Sequence, residues 1–236
     1  MNTAVSTDTV TLLVDWTGHA VSTADLGRAE QSLAQRLPPW RRREFTRGRL
    51  TARAAIAHSS DRWPHAAQTE ILRAADGAPC ITAKSGGSLR VRVSITHSDP
   101  WAAAAVGPAG YPLGVDVEPC DDRNAALVHR LCTAHDRIPA GTDPTLVTAC
   151  KEAGFKACRG KPDHLRGYAV RVHAPDDITI RPSHGRPECL YASVTWHRGL
   201  VLVTVTATRQ RPRTVVLPAA RVLRRPSGAE HSAEQP

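Results

Sequence analysis

The amino-acid sequence predicts an α+β protein. Short runs rich in valine, isoleucine and threonine, which are typical of strands, are interleaved with stretches of helical periodicity, but the two do not alternate regularly as in a parallel sheet. Helices followed by strands occur twice along the chain, with no sequence repeat behind them. We therefore expect two similar α+β subdomains over residues 1–113 and 114–208, and a mostly flexible, proline- and arginine-rich tail over 209–236.

The first half of the chain opens with one predicted strand and two predicted helices. Residues 10–16, VTLLVDW, are rich in strand-forming residues and end at a turn. Thr23 is a suitable N-cap for a helix over 24–37, whose apolar residues fall on one face and which ends at two prolines. A second, arginine-rich helix is expected over 40–58.

The later elements follow from the same kinds of pattern. Residues 75–87 are expected to form a loop, and residues 124–138 a helix. Asp143 can cap, and Pro144 can begin, a further helix that ends at Gly160. The other expected strands cover residues 89–98, 101–107, 112–119, 168–174, 177–182, 188–196 and 200–208.

The composition favours a globular protein with a polyanionic partner. Hydrophobic residues make up 41% of the chain and charged residues 22%. The 31 lysines and arginines against 22 acids give a net charge of +9, which suits nucleic acid, a phosphorylated cofactor or an acidic protein, although GC-rich coding also produces an arginine bias. The six cysteines form no C-x-x-C pair and no apolar run approaches the ~18 residues of a membrane helix, so we expect a soluble, cytoplasmic protein.

Two acidic residues in the motif GVDVE are the first candidates for chemistry. On a strand, Asp116 and Glu118 project from the same face while the valines beside them face the other way. Two neighbouring carboxylates repel each other unless a cation joins them, and Mg²⁺ prefers oxygen ligands. The pair is therefore either a metal site or two ordinary acids at an exposed strand end.

The motif KEAGFK supplies a second candidate pair. Glu152 and Lys156 are four residues apart and share one face of the expected helix. Such a pair is also the common surface ion pair, which contributes about 0.2–0.5 kcal/mol. His97, which ends the strand in ITHS, is either a turn residue or a phosphate donor or general base.

Three arginines of the second helix form a further pattern. Arg42, Arg49 and Arg53 point within a narrow sector of that helix and make a basic stripe. Because guanidinium groups bind phosphate in a bidentate manner, we infer nucleotide phosphate contacts for Arg49 and Arg53. An arginine-rich surface helix also shows such a stripe by chance.

The order of these motifs resembles that of a known family. A basic helix, THS at 96–98, GVDVE at 114–118 and KEAGFK at 151–156 resemble the 4′-phosphopantetheinyl transferase superfamily, in its monomeric two-lobed branch that serves surfactin and enterobactin synthetases. The resemblance runs from about Arg41 to about Val172. It implies two α+β subdomains in a pseudo-twofold arrangement.

The sequence departs from the family pattern at several places. Thr148 and Ala149 stand where the family has an aromatic residue and a small hydroxyl or thiol residue, and Gly154 stands where a larger residue is usual. Ala78 replaces the lysine of the family motif GKP. The segment between Asp116 and the lysine of KEA is somewhat shorter than usual. These changes bear on carrier preference and cofactor affinity more than on the type of reaction.

The resemblance implies an enzyme that moves the phosphopantetheine arm of coenzyme A onto a serine of an apo acyl or peptidyl carrier protein and releases 3′,5′-ADP. It implies that Asp116, Glu118 and Glu152 hold Mg²⁺, and that Glu152, or a water that it orients, takes the serine proton. Lys156 would contact phosphate or assist the proton transfer, and His97 would bind a cofactor phosphate. Lys151 is expected to form a supporting ion pair or a phosphate contact.

The net charge of +9 agrees with such a role, because carrier proteins of polyketide and nonribosomal peptide synthetases are typically acidic around the modified serine. Two other functions stay open. A metal-dependent phosphodiesterase could use the same carboxylates, and the arginine-rich helix could bind nucleic acid. Against nucleic acid, aromatic residues are scarce, at 4%, and no recognised binding motif occurs.

Overall fold

The protein is a mixed α+β protein with two β-sheets, as its sequence predicts. The structure, a computed structural model, describes residues 9–59, 68–121, 123–183 and 189–223. The strands in these ranges are β1 Val10–Asp15, β2 Thr69–Arg73, β3 Pro79–Ala83, β4 Ser88–Ser98, β5 Trp101–Pro108, β6 Leu113–Pro119, β7 Tyr168–Ala174, β8 Asp177–Pro182, β9 Leu190–His197, β10 Leu200–Thr206 and β11 Arg213–Pro218. The helices there are α1 Arg28–Gln35, α2 Pro39–His58, α3 Arg123–Leu131, α4 Pro144–Ala157 and α5 Ala219–Leu223.

Apart from one additional strand at the edge of the first sheet, the strands of the two sheets follow the same order. The first sheet is ordered β11-β1-β5-β4-β3-β2 and the second β6-β10-β9-β8-β7, with every pair antiparallel except β1 and β11. Two helices follow the opening strand in each case, α1 and α2 after β1, and α3 and α4 after β6. We call Val10–Pro108 the first unit and Leu113–Thr206 the second unit, and apart from β11 the two have the same connectivity.

The two units meet through corresponding strands. Side chains of β1 and β5 pack against those of β6 and β10 in one apolar layer, with a hydrogen bond of 2.9 Å between the hydroxyls of Thr11 and Thr204. The buried residues of this layer are Leu13, Ala103, Ala105, Leu113, Val115, Val117, Leu200 and Leu202. The other faces of the two sheets carry the helices, so each unit has a core of its own.

The expectation of a loose tail is wrong for residues Arg213–Leu223. Arg213–Pro218 pairs in parallel with β1, and Ala219 in the short helix that follows is fully buried. Without this strand, β1 would be an edge strand with unpaired backbone groups, and the TVVL run within β11 suits that pairing. The first sheet therefore takes a strand from beyond the expected boundary at 208. Residues 224–236 lie outside the described part.

Several element bounds differ from those expected. The helix expected over 24–37 is interrupted, because a 3₁₀ turn at Thr23–Asp25, capped by Ser22 rather than Thr23, precedes α1. The helix expected over 124–138 ends at Leu131. The loop expected over 75–87 contains β3, which is hydrogen-bonded between β2 and β4.

The start of α4 is confirmed and its end is not. The Asp143 carboxylate accepts a hydrogen bond of 2.7 Å from the backbone N–H of Thr145, and Pro144 begins the helix. Arg159, with φ of 57°, is the first left-handed residue after the helix and Gly160, with φ of 71°, is the second, so the helix ends one residue earlier than expected. No helix within the described ranges is long and apolar enough to cross a membrane.

Candidate active site

The candidate site depends on a close approach between β6 and α4. A Cβ atom at Gly114 would overlap the carbonyl oxygen of Ala153 and lie 2.7 Å from the backbone nitrogen of Ala157. Only glycine allows the α4 backbone to lie this close to the strand. The approach brings the face of α4 with Glu152 and Lys156 to the part of β6 that follows Gly114.

Asp116 is the centre of the resulting cluster. Its side chain is nearly fully buried, and its Oδ1 accepts hydrogen bonds from Lys156 Nζ, at 2.6 Å, and from the Thr96 hydroxyl, at 2.9 Å. Its Oδ2 is also buried but has no hydrogen-bond partner among the described residues. A buried carboxylate oxygen without a partner costs free energy, so Oδ2 suits a ligand such as a cation.

The other two acids lie in the electrostatic field of Asp116. Burial raises the pKa of Glu118 to about 7, with further contributions from the charges of Asp116 and Glu152. Burial also raises the pKa of Glu152, as does Asp116, while Lys156 partly opposes both shifts. Three carboxyl groups therefore share one lysine, and the excess of negative charge favours a further cation.

These residues fit a hard divalent cation such as Mg²⁺. They offer only oxygen donors, and Asp116 Oδ2 is available as a ligand. Among the described residues, no group of three or more histidine, cysteine, aspartate or glutamate side chains is arranged to hold a metal ion. Mg²⁺ commonly binds one or two carboxylates and completes its coordination with water and substrate phosphates, so Asp116, Glu118 and Glu152 could hold it together with a substrate.

Lys156 connects α4 to the strand that carries the acids. Besides its ion pair with Asp116, its ammonium group donates a hydrogen bond of 3.2 Å to the carbonyl oxygen of Val115. The Lys156 side chain is 27% exposed. Of the two alternatives for Glu152 and Lys156, the structure does not show the surface ion pair, because Lys156 bonds to Asp116 instead.

The end of β4 contributes from the first unit. Thr96 and His97 point to opposite faces of the strand, and only Thr96 reaches Asp116. The His97 ring lies against α2, with Nε2 3.0 Å from Arg41 Nη1 and 3.2 Å from Glu44 Oε2. His97 is thus next in sequence to Thr96, which contacts Asp116, but the His97 side chain does not contact the carboxyl cluster.

Sequence reasoning missed Arg41 and Glu44 because it followed a different face of α2. Gly48 lies on the same side of this helix, where a Cβ would be 2.9 Å from Ile95 of β4. The spacing of Arg41, Glu44 and Gly48 is the signal that could have identified this face.

The arginines of the expected basic stripe have partners inside the first unit. Arg49 is 8% exposed; its Nε donates to the carbonyl oxygen of Ile71, at 3.2 Å, and its guanidinium group stacks on Phe45. Burial lowers the pKa of Arg49 to about 10. A phosphate contact at Arg49 would require these interactions to break, so the structure does not support that expectation.

The other two arginines of the stripe are bound in the same region. Arg53 forms an ion pair with the buried carboxylate of Glu30 and donates to the carbonyl oxygen of Asp25, at 2.9 Å. Arg42 donates to carbonyl oxygens at the end of α1, including that of Ala34 at 3.1 Å. The stripe therefore joins α2 to α1 and is not a free basic surface.

Lys151 was expected to form either an ion pair or a phosphate contact, and the structure shows the ion pair. Its side chain is fully buried, and Nζ donates to Asp136 Oδ1 at 2.8 Å and to the carbonyl oxygen of Tyr168 at 2.7 Å. The expectation of cofactor binding is wrong for this residue, because its ammonium group cannot reach a ligand. Asp136 was missed because its segment was expected to be helical.

The residues that depart from the family pattern are buried in α4. Thr148 donates from its hydroxyl to the carbonyl oxygen of Pro144, at 3.2 Å, and Ala149 belongs to the apolar core. At Gly154 a Cβ atom would lie only 3.1 Å from Ile180. Ala149 and Gly154 therefore pack α4 against its own sheet, whereas the Thr148 hydroxyl bonds within α4.

Comparison with known proteins adds no assignment: the scan against protein-family models finds no match, and no curated protein is significantly similar to this chain. What the structure defines is an α+β protein of two units with the same connectivity. A cluster of three carboxyl groups and one lysine lies where β6 and α4 of the second unit meet β4 of the first.

Proposed function

We propose that the protein is a Mg²⁺-dependent 4′-phosphopantetheinyl transferase of the monomeric two-lobed type. It would transfer the phosphopantetheine arm of coenzyme A to a serine hydroxyl of an apo acyl or peptidyl carrier protein. The observation that carries the proposal is the convergence of the motifs GVDVE and KEAGFK on one buried carboxylate, Asp116, whose Oδ2 has no partner among the described residues. The shared connectivity of the two units also supports the proposed fold.

The proposed reaction places charge where this cluster can stabilise it. The serine oxygen forms a bond to the β-phosphorus of coenzyme A, the bond from that phosphorus to the bridging oxygen breaks, and 3′,5′-ADP leaves with the bridging oxygen. When bound by Asp116, Glu118 and Glu152, Mg²⁺ supplies Lewis-acid stabilisation of the negative charge on the pyrophosphate oxygens. Lys156, held in place by Asp116, donates to the same oxygens.

Glu152 is the proposed acceptor of the serine proton. In the metal-free protein, burial and the charge of Asp116 raise the pKa of its carboxyl group, which makes it a stronger base than an exposed glutamate. No described residue donates a hydrogen bond to this carboxylate, so its oxygens are available to a hydroxyl or to a water molecule.

The cofactor phosphates have a candidate site at the first unit. The partly exposed His97 ring lies next to the Arg41 guanidinium group, and both now contact the Glu44 carboxylate, at 3.2 Å and 2.9 Å, which a phosphate would have to displace. Arg41 thus replaces Arg49 and Arg53 in the proposed contact. The net charge of +9 would attract both coenzyme A and an acidic carrier protein.

The direct test is to incubate the protein with coenzyme A, Mg²⁺ and several apo carrier proteins and to measure carrier mass. We expect a phosphopantetheine adduct on at least one carrier, with formation of 3′,5′-ADP, and no adduct with Glu152→Gln. The absence of an adduct on every carrier, despite measured binding of coenzyme A, would contradict the proposal. Release of 3′,5′-ADP without any carrier would instead indicate a phosphodiesterase.

A further inference from the structure

A buried acid with a basic partner occurs at corresponding places in the two units. In the first unit, Glu30 accepts a hydrogen bond of 2.9 Å from the backbone N–H of Ile71 in β2 and forms an ion pair with Arg53 of α2. In the second unit, Asp136 accepts one of 2.7 Å from the backbone N–H of Val170 in β7 and forms an ion pair with Lys151 of α4. Since β2 and β7 occupy the same place in the strand order, each unit ties its long helix to the same strand.

The pair in the second unit is almost completely enclosed. Asp136 is 4% exposed in its side chain and also accepts from the backbone N–H of Thr133, at 2.7 Å. Burial alone would raise the pKa of Asp136, but its hydrogen bonds with Lys151, Val170 and Thr133 lower it. Among the residues that the structure describes, the Lys151 ammonium group has two partners, Asp136 and the carbonyl oxygen of Tyr168.

This arrangement fixes the rotation of α4 about its axis. If α4 turned, Lys151 would lose the acceptors of a buried charge, which is strongly unfavourable. Glu152 is the next residue and projects about 100° further around the helix, toward the carboxyl cluster. The direction of Glu152 is therefore set by the position of its buried neighbour.

We propose that Asp136, acting through Lys151, is a positioning residue for Glu152. This inference rests on the proposed function, because it assigns Asp136 to the reaction that Glu152 serves. Stability alone does not account for such a pair, since buried ion pairs can often be replaced by apolar residues without loss of stability. A buried, fully hydrogen-bonded pair does define one arrangement of the elements it joins.

The first experiment compares Asp136→Asn with Glu30→Gln, which removes the acid from the matching pair of the first unit. Metal binding is measured by titration with Mn²⁺, and transfer by steady-state kinetics. We expect Asp136→Asn to weaken Mn²⁺ binding and to lower kcat, each by about tenfold or more, with the KM for coenzyme A changed less than about twofold. Glu30→Gln should lower the unfolding temperature without changing Mn²⁺ affinity or kcat.

A second variant separates positioning from stability. Asp136→Asn combined with Lys151→Met removes both charges, so the unfolding temperature should recover relative to Lys151→Met alone, which leaves a buried carboxylate unpaired. The kcat should stay low, because the ion pair no longer fixes the rotation of α4 about its axis. Asp136→Glu, which keeps the charge, should recover part of both kcat and Mn²⁺ affinity.

The possible outcomes distinguish the two proposals. Asp136→Asn with normal kcat and normal Mn²⁺ affinity would overturn the positioning role while leaving the transferase proposal intact. If the wild-type protein transfers nothing, the Mn²⁺ titration still decides, and a selective weakening in Asp136→Asn would support positioning without the transferase. A wild-type protein that neither binds Mn²⁺ nor transfers would overturn both.

Discussion

The opening strands of the two units occupy the same register but carry opposite chemistry. Leu12 of β1 pairs with Ala104, the fourth residue of β5, and Asp116 of β6 pairs with Val203, the fourth residue of β10. Because a two-residue turn precedes both β5 and β10, Leu12 and Asp116 occupy corresponding positions. Val14 corresponds in the same way to Glu118. Leu12 and Val14 are fully buried in the core under α2, whereas their counterparts form the carboxyl cluster under α4.

Because of this difference, the second unit lacks the free energy of apolar burial that the first unit gains at these two positions. An apolar side chain at such a position contributes about 1.5–3 kcal/mol through burial, and the first unit has two. The second unit replaces both with acids that repel each other and leaves one oxygen of Asp116 without a partner in the described part of the chain. A local arrangement this unfavourable is typical of functional sites, so the chemistry is expected in the second unit and not in the first.

The largest expected effect comes from Gly114→Ala. The corresponding residue of the first unit is Val10, which shows that a side chain is tolerated there but not under α4. The added methyl group would overlap the α4 backbone, so we expect a loss of about 3 kcal/mol in the free energy of unfolding, together with loss of transfer. Denaturant unfolding and the carrier mass assay measure both. Val10→Ala is the control, and an equal loss of transfer in that variant would contradict the comparison.

The next largest effect is expected from Asp116→Asn. This change removes the charge that holds Lys156, so we expect kcat to fall about a thousandfold while the circular dichroism spectrum stays unchanged. In the first unit, Leu12→Ala should have the opposite result, a loss of about 2–5 kcal/mol in stability with normal kcat for the folded protein. Full activity of Asp116→Asn would refute the proposed site.

A smaller effect is expected from pH, through Glu118. Its pKa is raised from an ordinary value of 4.5 to about 7 in the folded protein, so the unfolded chain loses this proton first as pH rises. The contribution of Glu118 to the free energy of unfolding should therefore be largest below about pH 4.5 and should be lost as pH rises through about 7. Mg²⁺ should offset that fall. Thermal unfolding at pH 5.5 and pH 8, with and without Mg²⁺, tests this; an identical pH dependence in Glu118→Gln would contradict it.

The smallest effect is expected at the rim between the two units. Asp76, in the turn between β2 and β3, forms an ion pair with Arg159 just after α4, and both side chains are well exposed. Because water and salt screen such pairs, Asp76→Asn should cost less than about 1 kcal/mol and leave kcat unchanged. Unfolding at low and high salt measures the contribution. A large loss of activity would mean that this rim contact, rather than the buried cluster, controls the site.

The sequence predicted most strands and the acids of the second unit, because these depend on local patterns. Alternation marks the strands, and the i, i+2 spacing of Asp116 and Glu118 places both on one face. The contacts of the arginines in α2 could not be predicted. The spacing of Arg49 and Arg53 shows that they share a face of the helix, but it does not show which residues pack on that face. Which neighbour a charged residue meets depends on contacts between distant segments.

The same limit explains Asp136 and β11. The pattern around Asp136 suits a helix, and only its contacts with α4 and β7 hold it in an extended loop. In the same way, the composition after residue 208 suggests a loose segment, and only the free edge of β1 makes Arg213–Pro218 a strand.

The pairing of β11 with β1 also constrains the order in which the protein can assemble during synthesis. The second unit is contiguous in sequence, from β6 to β10. The first sheet cannot be completed until Arg213–Pro218 has emerged, although β1 is made well before it. During that interval the edge of β1 that pairs with β11 is open to other chains, so a strand made after the second unit protects a strand made before it from aggregation.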